Sequence, residues 1–353
     1  MQMENLSGIQ QLMLKACITD SNSELEALVS AWEEQVVMDD LPYSCMRLCP
    51  LFYYKIEQAG LQTRYDKRLK VIYKHWWLKT EHILNQLKLV HTAFTDAAIT
   101  PVIFKGASIM HYYTLPVHRP MADFDLLIDF KDLFNALAIL EDAGYVPNKE
   151  VKKQLTKHPK LSRDFDHSIE CVHYKTDTRL DLHWRIGSHC SYRFTHKLLQ
   201  NLREFNTIPG AKRSDLAHEL CLTIIHAIEC SGRDNLNWII DIHILNQLLD
   251  AKDWQRARNL ALEDNKAALF DYGCYVLIEH GVYALSPPPD LNKDLHLVLD
   301  YEQMMARRKS FMHYLKLRKR NYTATLNYLF PHAGPIEKSY HGLRRIFLAI
   351  SRA

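Results

Sequence analysis

The spacing of apolar residues changes twice along this chain, and that change limits the folds open to it. Up to about residue 97 apolar residues recur at intervals of three and four, as at Leu25, Val29 and Trp32, which predicts amphipathic helices. Between 100 and 186 short apolar runs alternate with helical segments, and from about residue 192 the helical spacing returns. The sequence therefore predicts an α+β fold, with a small mixed sheet flanked by N- and C-terminal helical regions.

The same pattern divides the chain into three predicted regions. We expect an N-terminal helical region at 1–97 that ends in a long helix near 67–97, a sheet-bearing core at 98–190, and a C-terminal helical domain at 191–353. With 353 residues, 47% of them hydrophobic, the chain can bury a sizeable core. Its 44 Lys and Arg nearly balance its 41 Asp and Glu, which argues against a protein devoted to coating nucleic acid.

The N-terminal sequence and the cysteines indicate a cytoplasmic protein. MQMENLSGIQQLML lacks the basic start and continuous apolar core of a signal peptide, and no apolar run reaches the length of about 18 residues that a membrane span needs. Eight cysteines are scattered without a CxxC pair. In the cytoplasm we expect them to be small buried side chains rather than disulfides or zinc ligands.

Within the core, the run from Asp123 to Ile128 is typical of a buried strand, yet it begins with two acidic residues. Because side chains alternate along a strand, Asp123 and Asp125 share one face while Phe124 lies on the other. Two neighbouring carboxylates repel each other, and a bound divalent cation is the usual remedy. This strand therefore predicts a metal site.

A second predicted strand, at 178–184, places Asp181 and His183 on one face. If this strand is the neighbour of the first, Asp181 meets Asp123 and Asp125 on one surface. Three carboxylates suit a phosphoryl-transfer site with two metal ions about 3.5–4 Å apart. We expect His183 either to order Asp181 or contact the acceptor, or to be a hydrogen-bonded structural residue.

A strand-to-helix junction, Phe-Lys-Gly-Ala-Ser, precedes the two aspartates and predicts a phosphate-binding turn. Gly106 permits a tight turn, and the free backbone N–H groups of such a turn can meet phosphate oxygens. Lys105 would add a cation and Ser108 a hydroxyl. Arg119 would either clamp a phosphate or hold an aspartate in place.

These motifs together resemble a known family. Lys-Gly before a helix, then Arg-Pro-Met-Ala-Asp-Phe-Asp-Leu-Leu-Ile, then Leu-Asp-Leu-His-Trp-Arg are similar to bacterial nucleotidyltransferases of the DNA polymerase β superfamily, in the branch with a KG…R…DxDLL…DLHW signature. Asn-Trp-Ile-Ile-Asp at 237–241 and Tyr-Leu-Phe-Pro at 328–331 extend the resemblance over about 75–350. It implies a polymerase β-like core.

The resemblance also implies roles for individual residues. It makes Asp123, Asp125 and Asp181 the catalytic acids that bind metal, and it places Gly106 and Ser108 at the superfamily's phosphate-binding turn. Lys105 is typical of this branch. Two features depart from the superfamily: Ala107 separates the glycine from the serine, and seventeen positions separate Gly106 from Asp123.

The activity implied is transfer of a nucleoside monophosphate from a nucleoside triphosphate, ATP or another, to an acceptor hydroxyl, with Mg²⁺ or Mn²⁺ and release of pyrophosphate. We expect the acceptor to be a small molecule, a peptide or a protein, with RNA left open. Two alternatives stay open as well. One is a toxin-like nucleotidyltransferase that modifies tRNA through the basic stretch at 307–320. The other is a non-catalytic nucleotide-binding or interaction protein built on the same core.

Overall fold

The computed structural model describes residues 6–187, 190–230 and 235–282, without the side chains of 229, 230 and 268. The basic stretch at 307–320 and the Tyr-Leu-Phe-Pro motif at 328–331 lie outside the described residues. The first four α-helices that the structure describes precede the sheet. The first of them begins with a capping box, in which the side chains of Ser7 and Gln10 each accept a hydrogen bond from the other's backbone N–H. These helices are α1 (Gly8–Ile18), α2 (Asn22–Gln35), α3 (Tyr43–Gln58) and α4 (Asp66–Asp96).

In the described part of the chain, seven strands form one mixed sheet in the order β3-β4-β5-β2-β1-β7-β6. The pairs β2–β5 and β1–β7 are parallel, and the other neighbours are antiparallel. The strands are β1 (Val102–Phe104), β2 (Asp123–Leu127), β3 (Tyr145–Pro147), β4 (Ser168–His173), β5 (Arg179–His183), β6 (Leu202–Glu204) and β7 (Lys212–Ser214).

Further helices separate the strands and follow them. The segments between strands contribute α5 (Lys105–Ile109), α6 (Leu133–Asp142), α7 (Lys149–Lys157), α8 (Pro159–Phe165) and α9 (Tyr192–Gln200). After the sheet come α10 (Leu216–Cys230), α11 (Asn237–Asn246), α12 (Ala251–Glu263) and α13 (Ala267–Glu279).

The two faces of the sheet are covered by different apolar clusters. One face, which includes Phe124 and Leu126, packs against the second half of α4 and against α6. The opposite face carries Phe104 and Leu127 into a second cluster, to which both the N-terminal helices and α10–α13 contribute. Because side chains alternate along β2, the apolar packing of Phe124 and Leu126 turns Asp123 and Asp125 toward this second, helix-covered face.

The predicted α+β class and the long helix before the core are confirmed. The structure differs from the prediction after residue 190, where β6 and β7 complete the sheet within a region expected to be helical. It also adds β3, α7 and α8 between 145 and 165. Strands of three residues, such as β3, β6 and β7, are too short to show an alternating pattern. The division of the chain into three domains stays a prediction.

The described cysteine side chains are buried, as expected, and none of them forms a disulfide with another. Burial raises the pKa of Cys45 to about 12, so this thiol is neutral near pH 7. Among the described residues, no helix combines the length and the apolar character that crossing a membrane requires.

Candidate active site

Pairing between β2 and β5 brings the predicted acids together. In this parallel pair Asp125 lies directly opposite Asp181, and Asp123 lies opposite Arg179. Directly paired residues point to the same face of a sheet. On its other side β2 pairs with β1, where Phe104 lies opposite Asp125. Asp125 is therefore flanked by Asp181 on one neighbouring strand and by the start of the Lys-Gly turn on the other.

Asp125 is held by two basic side chains. Its Oδ1 lies 2.7 Å from Lys105 Nζ and 3.0 Å from His183 Nε2. The same His183 nitrogen lies 3.3 Å from Lys105 Nζ. These three side chains form a compact buried cluster at the centre of the predicted site.

The charges in this cluster are strongly coupled. Burial by itself would raise the pKa of Asp125, but Lys105 and His183 outweigh it and hold the pKa well below its usual range. Burial by itself would lower the pKa of Lys105, and the ion pair with Asp125 reverses this effect and raises it. Near neutral pH the pair is therefore a carboxylate and an ammonium.

Among the described residues, the other two acids, Asp123 and Asp181, have no basic partner at ion-pair distance. Burial, and then the charge of Asp125, raise the pKa of Asp181 to about 6. The same two causes raise the pKa of Asp123. Asp123 is exposed at the start of β2, whereas Asp181 is only partly exposed. The charge on both carboxylates is thus costly in the protein alone and would be relieved by a cation.

Three side chains fit a metal ion by position and by chemistry. Asp125, Asp181 and His183 each offer a ligand atom, and these atoms lie within 4.8 Å of one another. His183 Nδ1 lies 3.2 Å from the Arg185 carbonyl oxygen, to which it can only donate. With Nδ1 donating there, Nε2 donates to Asp125 Oδ1 when the ring is protonated. In the neutral ring Nε2 carries the lone pair, with which it can accept from Lys105 Nζ or bind a metal ion. Burial, and then Lys105, lower the pKa of His183 and favour that neutral ring.

The Lys-Gly turn requires its glycine for a different reason from the one predicted. The left-handed backbone is at Lys105, with φ 53°, and not at the glycine. A Cβ on Gly106 would lie 2.5 Å from Arg119 Nη1 and 3.2 Å from its Cζ. The glycine is needed here because the guanidinium of Arg119 packs directly on its backbone.

Gly106→Ala is expected to destabilise the protein by about 2 kcal/mol, because the new methyl group overlaps a guanidinium that cannot easily move away. Chemical denaturation would measure this loss. Gly187→Ala is the matched control, since a Cβ there meets only Cys190 Sγ, at 3.6 Å. Equal stability of the two variants would contradict this account of Gly106.

Arg119 does hold an aspartate in place, which is one of its two predicted roles. Its Nε and Nη2 donate to the two carboxylate oxygens of Asp241, each at 2.8 Å. The Tyr113 hydroxyl donates to Asp241 Oδ1 at 2.7 Å. Asp241 lies on α11, so this buried group ties that helix to the segment between the Lys-Gly turn and β2. Asp241 uses two of the five N–H donors of Arg119, and the other predicted role of this residue, as a clamp for a phosphate, stays a prediction.

Ser108 lies away from the other predicted residues, which corrects its expected role as a phosphate ligand. It is fully buried, and its hydroxyl donates to Glu219 Oε1. The Ser214 hydroxyl donates to the same oxygen at 2.5 Å. Glu219 is itself fully buried on α10. The serine therefore joins α5 to α10 and β7, because a buried carboxylate requires donors.

Glu219 should make stability depend on pH. Burial raises the pKa of Glu219 from 4.5 to about 7, so the folded protein binds this proton more tightly than the unfolded chain does. Its contribution to stability is present at low pH and is lost as the pH rises from 4.5 to about 7. Glu219→Gln removes this dependence. Its stability relative to wild type should improve by about 2 kcal/mol between about pH 5 and about pH 8.

Unfolding curves of Glu219→Gln and wild type at the two pH values would test this expectation. Glu150→Gln, at an exposed carboxylate on α7, is the control and should show no such change. A stability difference between Glu219→Gln and wild type that does not vary with pH would contradict a raised pKa of Glu219.

A cavity of about 270 Å³ opens beside the acids. The core contributes Lys105, Gly106, Arg119 and all three aspartates to its wall, and α10 and α11 contribute the opposite side. The remaining lining residues are Arg47, Ile109, Met121, Leu222, Thr223, His226, Ala227, Asn235, Trp238 and Asp241. The cavity is thus charged on the sheet side and mostly apolar or uncharged on the helix side.

Two charged residues of this cavity, Arg47 and Asp241, were not predicted from the chain's chemistry. Arg47 comes from α3, where nothing distinguishes it from any other arginine of a helix. Asp241 carries a weak signal, because it is a single carboxylate in the apolar run Trp-Ile-Ile-Asp-Ile, and a buried acid requires a partner.

Acidic side chains gathered on adjacent strands beside a cleft can hold the metal ions that phosphoryl transfer uses. Residues 45–279, which are more than half of the chain, match the family described as uncharacterised nucleotidyltransferases. The chain belongs to this family, which confirms the resemblance of its motifs to nucleotidyltransferases. It is therefore a transferase.

Other comparisons add less. No curated protein matches the sequence. The solution structure of the antibiotic-resistance factor ANT(2'')-Ia resembles this chain with 15% sequence identity and a TM-score of 0.38, and the match covers 57% of this chain and 97% of that one.

Proposed function

We propose that this protein transfers a nucleoside monophosphate from a nucleoside triphosphate to an acceptor hydroxyl, with Mg²⁺ or Mn²⁺ bound by the acidic cluster. The bond from the acceptor oxygen to the α-phosphorus forms, and the bond from that phosphorus to the bridging oxygen breaks. Pyrophosphate leaves. The observation that carries this proposal is the register that sets Asp125 opposite Asp181, beside a cavity, in a chain of the nucleotidyltransferase family.

In this proposal Asp125, Asp181 and His183 hold the cation, with Asp123 as a further carboxylate on the same wall. A divalent ion bound there would supply positive charge to the phosphate oxygens and lower the pKa of the acceptor hydroxyl. Two oxygen ligands suit Mg²⁺, and a nitrogen ligand suits Mn²⁺ better. A second ion, held by Asp123 and Asp125, belongs to the proposal as well.

The protein's own residues would mainly position groups and compensate charge. In this proposal Asp181 also accepts the proton of the acceptor hydroxyl. Lys105 keeps Asp125 ionised and brings a positive charge to the wall of the cavity. The ion pair of Arg119 and Asp241 holds α11, and with it Trp238, against the site. Such preorganised charge is often the largest part of catalysis in phosphate chemistry.

The uncharged side of the cavity is suited to a nucleobase or to an acceptor. Trp238 and Leu222 offer apolar surface, and Thr223 offers a hydroxyl. A flat ring can stack on an indole while polar groups read its edge. We therefore place the phosphates near the sheet and the base or the acceptor toward α10 and α11.

The test is a product search. The purified protein is incubated with fractions of a cell extract, with each of the four NTPs in turn, and with Mg²⁺ or Mn²⁺. Mass spectrometry of each fraction should show a species that is heavier by one nucleoside monophosphate, and it should depend on the metal and on one NTP. No such adduct with any NTP, from protein shown to be folded, would contradict the proposed function.

A further inference from the structure

Arg47 reaches the cavity from outside the sheet-bearing core. It lies on α3, in the N-terminal helical region, and it lines the same cavity as Lys105 and the three aspartates. Its Nη2 donates to the Pro120 carbonyl oxygen at 2.9 Å, which fixes the guanidinium beside the turn that leads into β2. This hydrogen bond leaves the rest of the guanidinium available.

The donors of Arg47 are incompletely used. Its Nε is buried and has no hydrogen-bond partner among the described residues. The other two cations of the cavity each have a carboxylate, Lys105 with Asp125 at 2.7 Å and Arg119 with Asp241 at 2.8 Å. In the described part of the chain, Arg47 forms no ion pair of this kind. Of the lysines and arginines that the structure describes along the cavity wall, Arg47 alone lacks a carboxylate partner.

The surroundings of Arg47 favour an anion. Burial, and then the charge of Arg119, lower the pKa of Arg47, yet an arginine remains charged in a protein. Asp241 and Asp123 act in the opposite direction, but burial and Arg119 outweigh them, and a further negative group would stabilise this partly buried cation. A guanidinium also presents its N–H donors as a planar fork, which matches two oxygens of one phosphate.

The position of Arg47 points to the triphosphate rather than to the acceptor. A bound polyphosphate would face Asp123 and Asp181, whose own negative charges repel it. Positive charge must come from metal ions and from side chains that are not already paired, and Arg47 is such a side chain. An acceptor hydroxyl carries no charge, so it does not require a cation such as Arg47.

We propose that Arg47 binds a non-bridging oxygen of the β- or γ-phosphate of the nucleoside triphosphate. This inference rests on the proposed function and adds a residue that the core alone does not supply. It assigns to α3 the phosphate contact that the sequence suggested for Ser108 and Arg119. The N-terminal helical region is then part of the nucleotide site, and without it the triphosphate would bind weakly.

The test compares nucleotides that differ only in phosphate number. Calorimetry with Mg²⁺ would measure binding of the tri-, di- and monophosphate of the base that the wild type prefers, and of inorganic triphosphate. Arg47→Met should weaken binding of the nucleoside triphosphate and of inorganic triphosphate by about 10- to 100-fold. Binding of the monophosphate should hardly change.

Two further variants complete the experiment. Arg47→Lys keeps the charge but loses the fork, so it should fold like the wild type and still weaken triphosphate binding by about 5- to 10-fold. Arg68→Met is the control, because this exposed arginine pairs with the exposed Asp39 and does not line the cavity. It should bind every ligand as the wild type does.

The outcomes separate this inference from the function on which it rests. Unchanged triphosphate binding in Arg47→Lys and Arg47→Met, or an equal loss for the mono- and triphosphate, would overturn the role of Arg47 alone. Wild-type protein that binds none of the four NTPs with metal would overturn the proposed function itself.

Discussion

Asp181→Asn is expected to reduce nucleotidyl transfer by about 10³-fold or more while leaving the protein as stable as the wild type, or more so. The carboxylate is a proposed metal ligand and proton acceptor, so its loss removes both roles at nearly constant volume. It has no cation partner of its own, and burial and Asp125 raise its pKa from 3.8 to about 6. Ionisation of Asp181 therefore lowers the stability of the folded protein. The full cost applies above about pH 6, and there is no cost below pH 3.8.

The measurements are turnover, Mn²⁺ affinity and unfolding at two pH values. In the absence of metal, Asp181→Asn should be more stable than the wild type at about pH 7.5. This difference should vanish at about pH 4, where the wild-type carboxyl is protonated. Asp142→Asn, at an exposed carboxylate at the end of α6, is the control. Wild-type turnover or wild-type Mn²⁺ affinity in Asp181→Asn would contradict its place in the site.

Asp125→Asn should also lose transfer by about 10³-fold, but with the opposite effect on stability. Asp125 is the partner of Lys105 and of His183. The side chain of Lys105 is only 20% exposed and that of Asp125 only 11%. Neutralising the acid leaves the ammonium of Lys105 without its counter-charge. Loss of one partner of a buried ion pair costs about 3 kcal/mol.

Denaturation and turnover of Asp125→Asn would be measured beside Asp181→Asn. The double variant Lys105→Met/Asp125→Asn separates the two effects. It should recover part of the stability, since no unpaired charge is left, and it should recover no activity. A stability of Asp125→Asn equal to that of the wild type would contradict the ion pair. Activity in either variant would contradict the metal role.

Much of the fold's centre could be predicted from the sequence, because it follows from local periodicity. The strand at Asp123 and the strand at Asp181 each alternate apolar and polar residues, and this alternation alone determines the face on which each acid lies. That the two strands are neighbours was a hypothesis on which the acidic cluster depended. The register of β2 and β5 confirms it.

The contacts between distant segments could not be predicted in the same way. No pattern in the sequence says that the guanidinium of Arg119 lies on Gly106 and binds Asp241, 122 positions later. Nor does a pattern show that the Ser108 hydroxyl turns to Glu219. Both residues follow a motif typical of phosphate binding, and tertiary packing gives them other partners. Arg47 is the reverse case, a residue without a motif that packing brings into the cavity.

The most direct test of nucleotidyl transfer is to follow the two ends of the triphosphate separately. Wild-type protein is incubated with the reactive extract fraction, with metal, and with one NTP labelled at either the α- or the γ-phosphorus. The account predicts that the α-label is found in the product and the γ-label in pyrophosphate. With Asp181→Asn, neither a labelled product nor labelled pyrophosphate should form. Appearance of the γ-label in the product would identify a phosphotransfer of a different kind and would contradict the proposal.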